Sequence, residues 1–578
     1  MALRSGRWFG GHDLAGFVHR SALRAEGLSS AAFDGRPIVG ICNSWSELVN
    51  CNVHFQALAG AIARGVLQAG GLPLQFPTIS LGEQLMKPTT MLYRNLMAMD
   101  VEESLRSYPL DAVVLLAGCD KTVPAQLMGA ASADVPAIMV TGGPAKPAVF
   151  RGRQLGVGTD LWRYTDDLRA GRITQAEYDE LEAAAGSSVG HCPEMGTAST
   201  MAAIVEALGM SLPGSAAPPA GDARRYAAAE AAGRRAVALA HEELRPSRIL
   251  TPTAFDNAIT ALIATGGSTN AVPHLLALAG RAGVELTLER FDELARHTPM
   301  IVNVRPAGEH LVEQLFHAGG VPAVLRELAP LLDLTALTVS GRTLGETLPD
   351  QPTSDPDVIA SLEDPVKPTG GLVVLRGSLA PRGALLKPSV ASERLLRHSG
   401  TALVFDDIDD LAARIDDPAL EVDANTILVL RNAGPIGAPG MPEWGQLPIP
   451  ERLLRAGVDD MVRVSDARMS GTAFGTTVLH VAPEGAIAGP LAVAGTGDRI
   501  ELDVEARRID LAVEPGEIER RIAEWAPPAR KYDRGYGSLF LDHVLQADEG
   551  CDFDFLRGRS GQAAREPYGI LQGTIGGW

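Results

Sequence analysis

The chain has 578 residues, too many for one ordinary core, and its 46% hydrophobic and 21% charged content is that of a globular protein. Lys and Arg number 51 against 70 Asp and Glu, and the net charge of −19 argues against nucleic acid, whose affinity rests on cations neutralising phosphates. No run of about 18 uncharged apolar residues is present to span a membrane, and the N-terminal MALRSGRWFGGHDLAGFVHR lacks the apolar core and cleavage site of a secretion signal, so a cytoplasmic location is expected.

In chain order, IVGI (38–41), DAVVLLAG (111–118) and AIMVTGG (137–143) are apolar runs that predict strands buried on both faces. Helical periodicity between them, over 54–69 and 89–106, predicts an α/β/α sandwich with a mostly parallel sheet, in which ligands gather at the carboxyl ends of strands. Residues 222–243 predict an Ala-rich helix with Asp222 as N-cap. The Pro- and Asp-dense stretch 348–371 reads as a linker. Beyond it, LVVLRG, ALVFDD, TILVLRN, MVRVSD and RIELDV predict short strands of a compact β-barrel-like second domain. The expected division is therefore residues 1–365 for the sandwich and 366–578 for the barrel-like domain. The final stretch from about residue 526 mixes Pro, Tyr and Gly with an apolar-acidic tail, GCDFDFL (550–556), read as a surface tail or a docking segment for a partner subunit.

The chemistry is concentrated around few cysteines. Five in so long a chain argue against a disulfide framework, and Cys42 and Cys551 read as small buried hydrophobes. ICNSWSELVNCNVHF (41–55) carries Cys42 and Cys51, either of which could be a ligand; a helix just after Cys51 would place it at an electropositive N-terminus. GCDKTVPAQLMGAA (118–131) puts the thiol of Cys119, the carboxylate of Asp120 and the amine of Lys121 in one turn at a strand's end. GHCPEMGTASTM (190–201) follows Cys192 with small residues opening a helix, whose N–H groups favour negative charge. Three thiolates can hold an iron–sulfur cluster one protein ligand short of the usual four, which leaves an open Lewis-acid iron rather than an electron carrier. The hard oxygen of Asp120 beside a soft thiolate suggests a magnesium-like ion nearby. ATGGSTNAVPHL (264–275), RNAGPIGAPGMPEW (431–444, with Glu443) and VSDARMSGTAFG (464–475, with Asp466, Arg468, Ser470 and Thr472) have the texture of active-site loops. His54 and His274 are read as structural.

Together these segments, above all CDKTVPAQLMG and SDARMSGTA, closely resemble the dihydroxy-acid and sugar-acid dehydratase family, in matching order from about residue 38 to 475. The resemblance implies a cluster on Cys51, Cys119 and Cys192, favouring [2Fe-2S] over the four-iron type. It also implies Mg2+ held by Glu83, Asp120, Glu443 and a carbamylated Lys121, with Ser470 as catalytic base. GHCPEMGTASTM and SLGEQLMKPTTMLYRNL (80–96) resemble the aldonate branch; the branched-chain amino-acid branch has a Cys-Gly-Gly-Met-Tyr-Thr-type stretch in place of the former. The implied substrate is a small anionic sugar acid such as arabinonate, xylonate, gluconate or galactonate, and the implied assembly a homodimer or homotetramer.

The expected reaction removes the C2 proton through the Ser470 alkoxide and expels the C3 hydroxyl, giving a 2-keto-3-deoxy acid. A competing expectation is the dihydroxy-acid dehydratase of branched-chain amino-acid synthesis. A further one, from another class, is a non-catalytic iron–sulfur sensor, against which Glu83, Lys121 and Ser470 speak because a sensor needs no proton base. No flavin or nicotinamide glycine fingerprint is present to support a redox enzyme.

Overall fold

A computed structural model describes residues 3–350 and 353–558. The first sheet consists of β1 (Ile38–Asn43), β2 (Leu72–Pro77), β3 (Ala112–Ala117) and β4 (Ala137–Thr141) in the order β2-β1-β3-β4, parallel throughout. Every residue of β1, β3 and β4 is buried, as the unbroken apolar runs require. The edge strand β2, LPLQFP, is only partly buried and was not foreseen from its composition.

Helix α1 (Phe55–Gln68) joins β1 to β2, α2 (Thr90–Ser107) joins β2 to β3, and α3 (Thr122–Ala133) joins β3 to β4. The chain thus leaves β1 in one direction and returns past it in the other. That reversal opens a crevice at the carboxyl ends of β1 and β3, the usual ligand site of such sheets. Cys51 and Cys119 follow these two strands.

The predicted Ala-rich helix spans Ala223–Glu242, with Asp222 accepting from the Arg224 N–H. It crosses α1 through two glycines: a Cβ on Gly65 would lie 1.9 Å from the Glu230 carbonyl oxygen, and one on Gly233 2.2 Å from that of Ile62. The absence of side chains there sets how closely the helices approach.

The second half forms an eight-stranded mixed sheet: β7 (Val373–Leu375), β8 (Gly383–Leu386), β9 (Arg397–Phe405), β10 (Ile427–Leu430), β11 (Arg463–Ser465), β12 (Thr477–Ala482), β13 (Arg499–Asp503) and β14 (Arg508–Ala512). These follow a hairpin of β5 (Ala148–Phe150) and β6 (Arg153–Leu155) in the first half. The order is β14-β13-β9-β10-β11-β12-β8-β7. A bridge between Arg376 and Arg508 joins the two end strands, with Arg376 N–H donating to Arg507 and Ile509 N–H to Arg376, so the sheet closes into a barrel. Alternation sorts its side chains: Val404 and Val429 enter the barrel core, whereas Leu403, Phe405, Leu428 and Leu430 form an outer core.

Two expectations are corrected. The stretch 348–371 is not a free linker: Val358 and Ile359 are buried with Ile301, Val302 and Val304, and Val302 pairs with Ile359. Nor is GCDFDFL wholly a surface tail: Cys551, Asp552 and Phe553 are buried against α2, while Asp554 and Phe555 are exposed. Asn95 and Arg94 of α2 bind the Cys551 carbonyl, each at 2.9 Å, and the buried Arg281 pairs with Asp552 at 2.6 Å. Apolar and ionic contacts to the same chain outweigh the solvation that the acidic composition suggests. Residues 559–578 of the final stretch lie outside the described residues. No helix among the described residues is long and apolar enough to cross a membrane.

Candidate active site

A cavity of about 500 Å³ opens between the sandwich and the barrel. One wall carries three thiols: Cys51 from the turn between β1 and α1, Cys119 directly after β3, and Cys192 before the helix Thr197–Ala207. Cys51 and Cys119 are buried in contact with one another, and Cys192 is half-buried. The Cys51 turn comes close because Gly118 and Gly142 lack side chains; a Cβ on either would meet the Cys51 carbonyl at 3.0 and 3.2 Å. Thr122 fixes the Cys119 turn, accepting from the Gly118 and Cys119 N–H groups at 3.2 and 3.0 Å. The hydrogen bond with Cys51 and burial push the Cys119 thiol well up, and burial does the same to Cys192.

The adjoining wall is acidic around a fully buried lysine. Lys121 Nζ contacts Asp120 and lies 3.3 Å from Glu83 and 3.4 Å from Glu443. Burial and Arg468 act to lower the lysine's pKa, but the three carboxylates outweigh them and hold it above its ordinary value. Burial opposes ionisation of Glu83, yet Lys121, Arg468 and the hydroxyls of Thr90 and Thr89 bring it down to about 2. Glu443 accepts from Arg468 at 3.2 Å and from Asn270 at 3.0 Å, while burial pushes its pKa up. Among the described residues no three His, Cys, Asp or Glu side chains already form a coordination set; the lysine ammonium stands where their negative fields converge.

Ser470 enters from the barrel, on the loop after β11. Its N–H donates to the Gly445 carbonyl at 2.8 Å. Gly471 lets the loop press against the sandwich, where a Cβ would lie 2.6 Å from Ser268 Oγ and 2.7 Å from the Thr197 nitrogen. Asn270 ties the parts together, donating to the Met469 carbonyl at 2.9 Å as well as to Glu443. Ser470 Oγ lies 2.8 Å from Thr472 Oγ1 and accepts from the Thr472 N–H at 3.3 Å. Gly158, the N-cap of Thr159–Arg169, and Gly196, the N-cap of Thr197–Ala207, also line the cavity. The helix N-terminus at Gly196 thus favours negative charge in it, whereas the N–H groups of Gly158 and Thr159 are taken by the Glu194 carboxylate.

Cys51, Cys119, Cys192, Glu83, Asp120, Glu443 and Ser470 all line this one cavity, and Lys121 lies directly behind its acidic wall. Asp466 does not: it is buried, accepts from the Ala433 and Gly485 N–H groups at 2.9 and 2.8 Å, and latches two loops. His54 and His274 are outside the lining, bonded to the Gly142 carbonyl and to Arg94. Cys42 is enclosed in β1 and Cys551 in the tail. Sequence reasoning missed His191 and Trp162, which do line the cavity. The first adjoins Cys192 and carried a local signal, whereas the second lies in an amphipathic helix with none.

The match to known proteins covers both halves. The family model described as dihydroxy-acid/6-phosphogluconate dehydratase N-terminal matches residues 36–347, and its C-terminal counterpart residues 357–551. The chain belongs to this family and is a dehydratase, a hydro-lyase. It is 51% identical to L-arabinonate dehydratase of Rhizobium leguminosarum bv. trifolii, over 97% of each chain. With 6-deoxy-6-sulfo-D-gluconate dehydratase of Pseudomonas putida the identity is 48%, over 98% of each. A dihydroxy-acid dehydratase of Saccharolobus islandicus is 39% identical, covering 93% of this chain and 97% of that one.

Proposed function

We propose that the protein dehydrates an aldonate of five or six carbons to its 2-keto-3-deoxy acid. The observation that carries this reading is the convergence, in one cavity, of three thiols, a carboxylate–lysine wall and a serine hydroxyl contributed by the other half of the chain. The higher identity to sugar-acid dehydratases than to a dihydroxy-acid dehydratase supports the choice of branch.

The donor chemistry fits two different groups. Cys51, Cys119 and Cys192 offer soft sulfur for a [2Fe-2S] cluster, and Glu83, Asp120 and Glu443 offer hard oxygen for Mg2+. As an ammonium, Lys121 has no electron pair for a cation; as a carbamate it supplies oxygen. When bound, the cluster and Mg2+ supply Lewis acidity at the departing C3 hydroxyl and at the C1 carboxylate with the C2 hydroxyl.

The chain's own groups perform the rest. Ser470 Oγ, as alkoxide, takes the proton from C2, and the C–H electron pair forms the C2–C3 double bond as the C3–O bond breaks. The departing hydroxide takes the proton that Ser470 has gained and leaves as water, which restores the serine alkoxide, and the enol tautomerises to the 2-keto acid. An isolated serine is far too weak an acid to ionise, so its loop must favour the alkoxide. The Thr472 N–H aimed at Ser470 Oγ and the nearby helix N-terminus at Gly196 act in that sense.

A second reading draws on the apolar part of the lining, Val157, Leu161, Trp162 and Trp444, which suits a branched dihydroxy acid of amino-acid synthesis. Anaerobically purified protein, supplied with Mg2+, separates the two when 2-keto acid formation is followed on C5 and C6 aldonates and on dihydroxyisovalerate. Higher kcat/KM on an aldonate is expected. Preference for dihydroxyisovalerate would overturn the proposal in favour of the second reading.

A further inference from the structure

Thr472 Oγ1 has two side-chain neighbours, and they come from opposite halves of the protein. Ser470 Oγ lies at 2.8 Å, and the indole Nε1 of Trp162, on the helix Thr159–Arg169, donates at 3.2 Å. An indole N–H can donate but never accept. Trp162 therefore occupies one lone pair of the Thr472 hydroxyl and cannot take its proton. The acceptor at hand for that proton is Ser470 Oγ, which already receives the Thr472 N–H at 3.3 Å.

The rest of the local structure holds this chain in place. Thr159 Oγ1 donates to the Thr472 carbonyl at 3.1 Å. The buried Glu194 carboxylate accepts from the Gly158 and Thr159 N–H groups at 2.7 and 2.8 Å, fixing the start of the helix that carries Trp162. Gly158 lets the helix meet the loop, since a Cβ there would lie 2.2 Å from Thr472 Oγ1. The indole in turn packs over Gly445, whose Cβ would meet the ring at 2.5 Å. Gly445 also holds the Ser470 N–H.

The geometry points to Trp162 as a positioning residue for Ser470, acting through Thr472: its N–H commits the Thr472 proton to Ser470 Oγ and so favours the serine alkoxide. This rests on the reading of Ser470 as the base. In a hydrogen-bond chain of this kind each donation strengthens the next, so loss of the terminal N–H weakens the Thr472 bond without removing it. Trp162 and Thr472 transfer no proton: Thr472 keeps its O–H bond, and the proton that Ser470 gives up on becoming the alkoxide passes to solvent water.

The test uses the full-length, cluster-bearing protein and its best aldonate. Trp162→Phe keeps an aromatic wall and removes the N–H. A second replacement, by β-(3-benzothienyl)alanine, keeps the bicyclic shape and removes only the N–H, so a folding defect in the first leaves the question decidable. Both are expected to lower kcat about tenfold with KM within about twofold. Thr472→Val should lower kcat further, and adding either Trp162 replacement to it should change nothing beyond about twofold, because the pathway is already cut. Independent, multiplying losses would overturn the proposal, as would wild-type kcat in the benzothienyl protein or a defect confined to KM. Ser470→Ala is measured alongside: normal turnover there removes the base assignment itself, whereas an inactive Ser470→Ala with multiplying losses removes only the role of Trp162.

Discussion

Lys387 follows β8 and is only 8% exposed, and its Nζ has no hydrogen-bond partner among the described residues. With no acidic neighbour to compensate, burial alone pulls its pKa from 10.5 to about 7. The unfolded chain therefore binds more protons than the folded one between about pH 7 and 10.5, so this residue makes the fold gain stability as pH rises through that window. At pH 7 its burial costs about 4 kcal/mol relative to a neutral side chain. Lys387→Met keeps the length and removes the charge. If the chain unfolds as one unit, an entropy of about 2.1 cal/mol/K per residue turns that energy into a rise in apparent Tm of roughly 3 °C at pH 7. The gain should shrink toward zero near pH 10.5, since every other group titrates alike in both proteins. Thermal melts by circular dichroism at pH 7, 8.5 and 10, at one scan rate, provide the comparison. A Lys387→Met protein that melts lower at pH 7, or a difference that does not change with pH, would show that burial of the Lys387 charge does not cost the fold stability.

Two further outcomes follow from the site and the tail. Cys119→Ser should leave the purified protein with less than half of its iron and acid-labile sulfide, with far-UV circular dichroism unchanged; full iron content would remove Cys119 from the ligand set. Asp552→Asn takes the charge from a buried pair in which Arg281 bonds both carboxylate oxygens, at 2.6 and 3.1 Å, leaving the arginine Glu102 at 3.1 Å as its ion-pair partner and Ser132 Oγ at 3.2 Å. Breaking such a pair costs about 3–5 kcal/mol, and the melting temperature should fall by a few degrees; an unchanged melt would show that the tail contributes no anchoring.

The central strands were legible because a strand buried on both faces must be apolar without interruption, as in DAVVLLAG. β2 escaped because an edge strand with two prolines needs neither continuous apolarity nor a full ladder. The misread linker and tail share another cause. Composition reports what a segment could do in water, but Val358, Ile359 and Phe553 are buried by partners distant in sequence, and Asp552 is matched by an arginine 271 positions away. For the site, the Cys119 turn drew notice from the residues themselves, since strand ends in a parallel sheet are where function collects, whereas the roles expected of Glu83, Glu443 and Ser470 came from the family resemblance. Asp466 lay in a loop of active-site texture and proved structural, because nothing local tells which way a loop carboxylate turns. Trp162 was illegible for the opposite reason: its meaning arises only where a helix of the sandwich meets a loop of the barrel.

In the proposed reaction, thiols, acidic wall and serine act on one substrate in one cavity, and the serine moves the proton. Ser470→Ala, purified anaerobically and assayed on the aldonate that the wild-type protein turns over best, tests it most directly when iron content and visible absorption are measured on the same sample. Loss of about a thousandfold in kcat, with iron and absorption unchanged, is the predicted result. Turnover within tenfold of the wild-type protein would rule out Ser470 as the base.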